Sequence, residues 1–274
     1  MKFCSKYSLK QRQIHLKIEQ AIVLRNEQIA HGIWRMSLVA PDVASAYVGP
    51  GQFISLLTDD SWDHLVRRPM SIAKINEDEV DIIYKIFGDV TDHFTKKCPG
   101  DSMNILGPLG NVFTDYNSEF AEPILIGGGV GLAPILNLYD ACEKAVMIIG
   151  ARSADEHFLN HKPDNSVYLT TDDGTAGIEG NVLTALKNMN LSENTILFAC
   201  GPEPMLIAIQ NYAVEKNARA QLSVESYMGC GVGLCQGCVI ERQNGQIMKH
   251  SYHEKYSLVC LDGPVYECDE IIFG

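Results

Sequence analysis

The sequence predicts an antiparallel β-barrel, then a parallel α/β domain, then a small C-terminal cysteine-rich domain. Three observations carry this. From Ile18 to Phe113, short apolar runs such as Phe53-Ile-Ser-Leu-Leu57 and Val80-Asp-Ile-Ile-Tyr84 are bounded by Gly, Pro, Asn or Asp. Many short, turn-punctuated strands suggest a closed antiparallel sheet. From Pro123 to Asn217, strand-like and helix-like runs alternate, the signature of a parallel sheet with crossover helices. Beyond residue 220 the chain holds Cys230, Cys235, Cys238 and Cys260 in a C-x4-C-x2-C…C arrangement.

Taken in order, residues 1–16 read as a tail, 17–116 as the barrel, 117–220 as the α/β domain and 221–274 as the cysteine domain. Within the α/β part, Pro123–Ile126, Ala145–Ile149, Val167–Thr170 and Thr195–Ala199 are expected strands. Ala133–Glu143, Asn181–Met189 and Pro204–Asn217 are expected helices. A chain of 274 residues is long enough for two or three such units.

Composition bounds the function. Hydrophobic residues make up 46% and charged residues 20%, and the formal net charge is −12. That balance argues against a general nucleic-acid binder, which needs a basic face. Met1 to Gln20 is polar and basic without the apolar core of a signal peptide, and there is no run of 18 apolar residues. A cytoplasmic, reducing location is expected, with Cys4, Cys98, Cys142 and Cys268 as free or structural thiols. The eight histidines show no H-E-x-x-H or H-x3-H spacing, and no G-x-S-x-G occurs.

The cysteine spacing is that of a plant-type [2Fe–2S] cluster. A structural zinc site would use paired C-x2-C knuckles, and only Cys235 and Cys238 have that spacing. Glycines 229, 231, 233 and 237 are expected to curl the loop with positive φ and turn backbone N–H groups toward sulfur. Tyr227, Met228, Val232 and Leu234 are expected to offer a dry contact to an electron-transfer partner.

Other motifs are weaker singly. Gly127-Gly-Gly-Val-Gly-Leu-Ala-Pro134 follows a strand and opens a helix, so Gly127, Gly128, Gly129 and Gly131 are candidate pyrophosphate contacts. An ordinary tight turn would look the same. Arg68-Pro69-Met70-Ser71 places an Arg fork and a hydroxyl on one strand, expected on one side, which suits a flavin and its phosphates. Asp172 and Asp173, at a strand end, would repel a 2′-phosphate and favour NAD, whereas Arg152 points the other way. Cys200-Gly201-Pro-Glu-Pro also follows a strand. It reads either as a buried Cys before a helix start or as a thiol beside a nicotinamide.

The order of these motifs, with Gly107-Pro-Leu-Gly-Asn-Val-Phe113 and the ending Cys260-Leu-Asp-Gly-Pro-Val265, resembles the ferredoxin reductase superfamily. More narrowly, it is similar to the electron-transfer subunits of class 1B, NAD-dependent dihydroorotate dehydrogenases. The resemblance covers residue 17 to the C-terminus. It implies that Arg68–Ser71, Ile83-Tyr84-Lys85 and Val90-Thr91 bind FAD, with Lys85 where an Arg is usual and Val90 where a Gly is usual. It implies a catalytic partner carrying FMN, in a heterotetramer of two of each subunit. Electrons would pass from dihydroorotate through that FMN, the cluster and FAD to NAD⁺, serving pyrimidine synthesis. No residue is expected to act as acid or base on dihydroorotate. The competing reading keeps the cofactors and changes the partner: a ferredoxin:NADP transhydrogenase, a sulfide dehydrogenase or a hydrogenase. A self-contained reductase and a cluster-based redox sensor are further possibilities, the latter disfavoured by the glycine turn.

Overall fold

The computed structural model describes residues 16–58, 64–243 and 255–273. Residues 1–15, with Cys4 and most of the expected tail, lie outside the described residues.

The first part is a closed six-stranded barrel. Its elements are β1 (Lys17–Ala30), β2 (Ile33–Val39), α1 (Pro41–Ala46), β3 (Phe53–Leu57), β4 (Arg68–Asn76), β5 (Glu79–Lys85), α2 (Asp89–Thr95) and β6 (Ser102–Leu109). Around the barrel the order is β1-β2-β5-β4-β3-β6, every pairing antiparallel. Closure leaves no free edge. Alternate residues point inward, so Met36, Leu38, Ile54, Leu56, Ile82 and Tyr84 fill the barrel.

The second part holds β7 (Glu122–Gly128), α3 (Leu132–Ala141), β8 (Val146–Ala151), β9 (Val167–Thr171), β10 (Ile178–Glu179), α4 (Val182–Lys187), β11 (Thr195–Cys200), α5 (Glu203–Lys216) and β12 (Arg219–Ser223). The expected strands and helices are all here, with ends shifted by one or two residues. Helix α4 starts after Asn181, whose side chain accepts the Leu183 N–H. The C-terminal stretch adds β13 (Val239–Arg242), β14 (Tyr256–Leu258), β15 (Val265–Glu267) and β16 (Ile271–Ile272).

The sheet order is β10-β9-β8-β7-β11-β12-β15. Its strands are parallel except β15, which runs antiparallel beside β12. The C-terminal stretch thus adds a strand to the α/β sheet as well as making the small sheet β14-β13-β16. One continuous core joins Ile126, Leu197 and Leu206 to Cys238, Val259, Cys260 and Tyr266.

Two polar seams lock the parts together. Asn137 is buried inside apolar α3; it donates to the Ile72 carbonyl at 3.0 Å and accepts the Tyr47 hydroxyl at 2.9 Å. Burial raises the Tyr47 hydroxyl well above its ordinary range, although Asn137 opposes this. In the Gly107–Phe113 motif, Asn111 donates to the carbonyls of Asp262 and Val265 and accepts the Val265 N–H. That loop is the clamp between barrel and C-terminal stretch.

Candidate cofactor sites

The cysteine loop runs from Gly229 to Cys238 and meets Cys260, which lies just past β14. Cys238 and Cys260 are buried, Cys230 is half-buried and Cys235 is exposed. The thiols fall into two interacting pairs, Cys230 with Cys235 and Cys238 with Cys260. The backbone N–H groups of Val232 and Cys235 point at the Cys230 sulfur, at 3.4 and 3.3 Å. Backbone N–H groups, that of Gly237 foremost, hold the Cys235 thiol down to about 7. In the buried pair the neighbouring Cys260 thiol holds Cys238 down, while Cys238 pushes Cys260 up.

Among the described residues, no three His, Cys, Asp or Glu side chains stand as ligands of a single metal ion. Two thiol pairs served by N–H donors fit a two-iron cluster with two thiolates per iron. Positive φ occurs at Gly231 and Gly233 but not at Gly229 or Gly237; Gln236 takes the left-handed conformation instead. Gly233 has no alternative. Its φ is +79°, and a Cβ there would lie 2.2 Å from the Leu261 Cδ1 atom. Of the residues expected to face a partner, Tyr227 and Leu234 are exposed, at 94% and 84%. Met228 and Val232 pack inward against the core.

A cavity of about 420 Å³ lies between the barrel and the carboxyl ends of the parallel strands, within the ordinary range for a small-molecule site. Pro69, Met70, Ser71, Ile83, Tyr84, Lys85, Thr91 and Cys200 line it, all from the sequence expectation. So do Val130 of the glycine turn, Pro264 of the Cys260–Val265 ending, and residues with no motif to announce them: Phe53, Phe87 and the run Ser223-Val224-Glu225-Ser226 with Met228. Cys200 is fully buried, and burial drives its thiol far up. Glu225 opens on the mouth of the cavity, yet the protein packed around it pushes its carboxyl up. Gly201 lines an adjoining hollow with Glu225 and Ser226.

Several expected contacts are elsewhere. Arg68 does not line the cavity; its guanidinium donates to the Val66 carbonyl at 2.7 Å. The expectation that it shares a side with Ser71 fails on strand geometry, since residues an odd number apart point opposite ways. Val90 is buried in the barrel core. Thr91 lines the cavity, but its hydroxyl already accepts the Phe87 N–H at 2.8 Å and donates to the Gly88 carbonyl at 3.0 Å. Tyr84 turns its hydroxyl to Asn26, at 2.9 Å. Gly127, Gly128, Gly129 and Gly131 form the turn between β7 and α3. None lines the cavity, although Val130 between them does. Asp172 and Asp173 follow β9, and Asp173 is occupied by its own turn, accepting the Thr175 N–H and hydroxyl at 3.0 and 2.6 Å.

No motif pointed to Glu156. Its Oε1 accepts Lys85 Nζ at 2.9 Å and Arg152 Nε at 3.1 Å. Burial alone would raise this carboxyl, but the two cations overcome that and hold it at about 2. A carboxyl depressed on folding stabilises fully above the unfolded value of 4.5 and loses that contribution as pH falls toward about 2. Between about pH 5 and pH 2.5, thermal unfolding of Glu156→Gln is therefore expected to fall less steeply with acid than that of the unmodified protein. Parallel curves would mean that the ion pair contributes nothing.

Residues 225–272 match the family model described as the iron-sulfur cluster binding domain of dihydroorotate dehydrogenase B. A dihydroorotate dehydrogenase B (NAD⁺) electron transfer subunit from Fusobacterium nucleatum is 32% identical, over 93% of this chain and 99% of that relative. The subunit of the same name from Bacillus velezensis is 35% identical, over 95% and 99%. The chain belongs to this family of electron transfer subunits. Among solved structures, an NADH-dependent reduced ferredoxin-NADP oxidoreductase aligns over 93% of this chain and 90% of that one, with TM-score 0.78 and 24% identity. A ferredoxin NADP⁺ reductase from Neisseria gonorrhoeae, with bound FAD and NADP, aligns over 73% and 91%, with TM-score 0.59 and 15% identity. Both share the fold of the family member described here. No helix among its described residues is long and apolar enough to cross a membrane.

Proposed function

We propose that this chain is the electron-transfer subunit of an NAD-linked dihydroorotate dehydrogenase, carrying a [2Fe–2S] cluster and FAD. One observation supports it most: the cavity wall and the cysteine loop are one stretch of chain. Glu225, Ser226 and Met228 line the cavity, and Cys230 follows two residues later. That adjacency suits a relay between a one-electron and a two-electron carrier.

When bound, FAD supplies the exchange between single electrons and a hydride, and the cluster supplies the single-electron path. The chain's own residues do the rest. Cys230, Cys235, Cys238 and Cys260 hold the cluster as thiolates. Phe53, Met70, Ile83, Val224 and Pro264 keep the flavin wall dry. Ser71 offers it a hydroxyl, Lys85 lines it while its amino group pairs with Glu156, and Cys200 closes the end nearest β11. The oxidation of dihydroorotate, a loss of two electrons and two protons, belongs to a separate FMN-bearing subunit, with NAD⁺ taking the hydride here. Two copies of each subunit would make the complex, in the cytoplasm.

The test is to mix the purified protein with that dehydrogenase. Alone, the chain should not oxidise dihydroorotate; together they should couple its oxidation to NAD⁺ reduction. Failure to associate or transfer electrons would move the assignment to a ferredoxin or sulfide partner. Leu234, 84% exposed within the cluster loop, supplies a sharper version. Burying a Leu gains about 1.5–3 kcal/mol, so Leu234→Asp should weaken association at least about tenfold. Reduction of FAD by NADH should persist. Unchanged association would place the docking face elsewhere.

A further inference from the structure

Arg152 stands at a position with a known chemical meaning. In a parallel α/β sheet the dinucleotide lies over the carboxyl strand ends, with its pyrophosphate at the glycine turn. The residue closing the next strand, ~20 positions on, meets the adenosine ribose. An acid there binds the 2′-hydroxyl, whereas an Arg accommodates a 2′-phosphate. Here the glycine turn closes β7, and Arg152 directly follows β8. Its identity alone would prepare the site for NADP.

The structure removes that Arg from use. Its Nε and Nη2 atoms donate to one oxygen of Glu156, at 3.1 and 2.5 Å. The same oxygen takes Lys85 Nζ, at 2.9 Å. The pair is anchored at the acid: the Glu156 side chain is 8% exposed, that of Arg152 74%. The main chain just before Glu156 is held at two points. His31 N–H donates to the Asp155 carbonyl at 2.8 Å, and Ala154 N–H to the Thr175 hydroxyl at 2.9 Å. The Arg35 guanidinium lies over the Phe158 ring, 5.9 Å from its centroid. Asp155 and Asp172 add further negative charge near Arg152. A dianionic 2′-phosphate would meet an Arg already bound by a fixed carboxylate, with two more acids beside it.

We infer that Glu156 is a specificity-determining residue, selecting NAD over NADP by engaging the Arg152 guanidinium in an ion pair that a 2′-phosphate would have to displace. This rests on the reading that the dinucleotide lies over β7, β8 and β9. Asp172 contributes charge, but Asp173, committed to its turn, does not. Glu156 is therefore a positioning residue: it acts through Arg152 and touches no part of the nucleotide.

The test uses the FAD- and cluster-loaded protein. Binding of adenosine 5′-monophosphate and adenosine 2′,5′-bisphosphate is measured by calorimetry, and flavin reduction by NADH and NADPH by stopped flow. The unmodified protein should bind the monophosphate and strongly prefer NADH. Glu156→Gln keeps shape and removes charge, so the preference for monophosphate over bisphosphate should narrow at least tenfold, with NADPH gaining in parallel through its KM. Adding Arg152→Ala to that variant should restore the original preference. A Glu156→Gln ratio within twofold of the original, or a gain that survives loss of Arg152, would overturn the proposal. Arg152→Ala alone alters only an exposed side chain and guards against misfolding of the buried variant. It should leave the monophosphate to bisphosphate ratio within twofold, and a selective loss of bisphosphate binding would show that Arg152 already serves the 2′-phosphate. If the unmodified protein binds neither the monophosphate nor NADH, the placement of the dinucleotide site itself is wrong.

Discussion

Serine at Cys238 or Cys260 is expected to leave a protein without iron or inorganic sulfide, yellow from FAD but not brown. Each is one member of the buried thiol pair, and substitution leaves the iron that the pair would hold without its second thiolate. The intact protein should carry about two irons and two sulfides, as four thiolates on a [2Fe–2S] core require. Cys268 is buried too, but it follows β15 rather than the cysteine loop, its backbone fixed by the bond from its N–H to the Ala220 carbonyl. Cys142 donates to the Tyr116 and Lys144 carbonyls at the opposite end of the α/β sheet. Cys142→Ser should therefore keep the full iron content. The variants lacking the cluster should still be reduced by NADH at the flavin, because the cavity is lined without using their sulfur atoms. Coupling to dihydroorotate oxidation should be lost altogether, since the single-electron path is cut. Iron analysis, visible spectra and stopped-flow reduction check each statement. Stoichiometric zinc in protein prepared without oxygen, or iron retained after either substitution, would refute the cluster assignment.

What was legible in the sequence was what is local. The cysteine spacing, the glycine turn and the alternation of strand and helix are each carried by short stretches, so pattern and chemistry are read together. The helix ends at Asn181 and Asn217 carry their own signals: a side-chain cap at one, a left-handed residue at the other. What was missed is non-local. Phe53 reaches the cavity from β3, and Pro264 reaches it only because Asn111 clamps the C-terminal turn against the barrel. No local pattern could have shown β15 pairing with β12, since Val265–Glu267 is three residues long and its partner strand, Arg219–Ser223, lies far earlier in the chain. Glu156 sits among Asp155, Glu156 and His157, a run that reads as solvated charge until Lys85 arrives from the barrel. Asn137 did leave a trace: a lone amide in the apolar helix Leu132–Ala141 is costly unless partnered. Arg68 shows the opposite error, a motif residue credited with a direction that strand alternation forbids.

The glycine turn supports the second large effect. Gly131 closes the turn between β7 and α3, and a Cβ there would lie 2.3 Å from the Cys200 carbonyl oxygen and 2.5 Å from the Gly201 nitrogen. Ordinary contact begins near 3.4 Å. Both obstructing atoms are backbone, so no side-chain rotation relieves the clash, and β11 must move away from β7. Those strands pair in register from Thr195 with Glu122 to Cys200 with Gly127, so the disturbance enters the centre of the sheet. Overpacking of this kind costs about 1–3 kcal/mol, with unyielding backbone at the upper end. For a chain of this size that is a Tm lower by about 5–10 °C. Gly131→Ala should also impair function, because Val130 of the displaced turn and Cys200 against it both line the cavity. FAD should be held less tightly, and its reduction by NADH should slow. Gly88→Ala is the comparison: nothing lies within 4 Å of its added carbon, and the backbone there is extended. It should shift Tm by no more than about 2 °C. Thermal unfolding of the two variants decides the matter, and a Gly131→Ala protein as stable as Gly88→Ala would mean that the turn is looser than its packing against β11 implies.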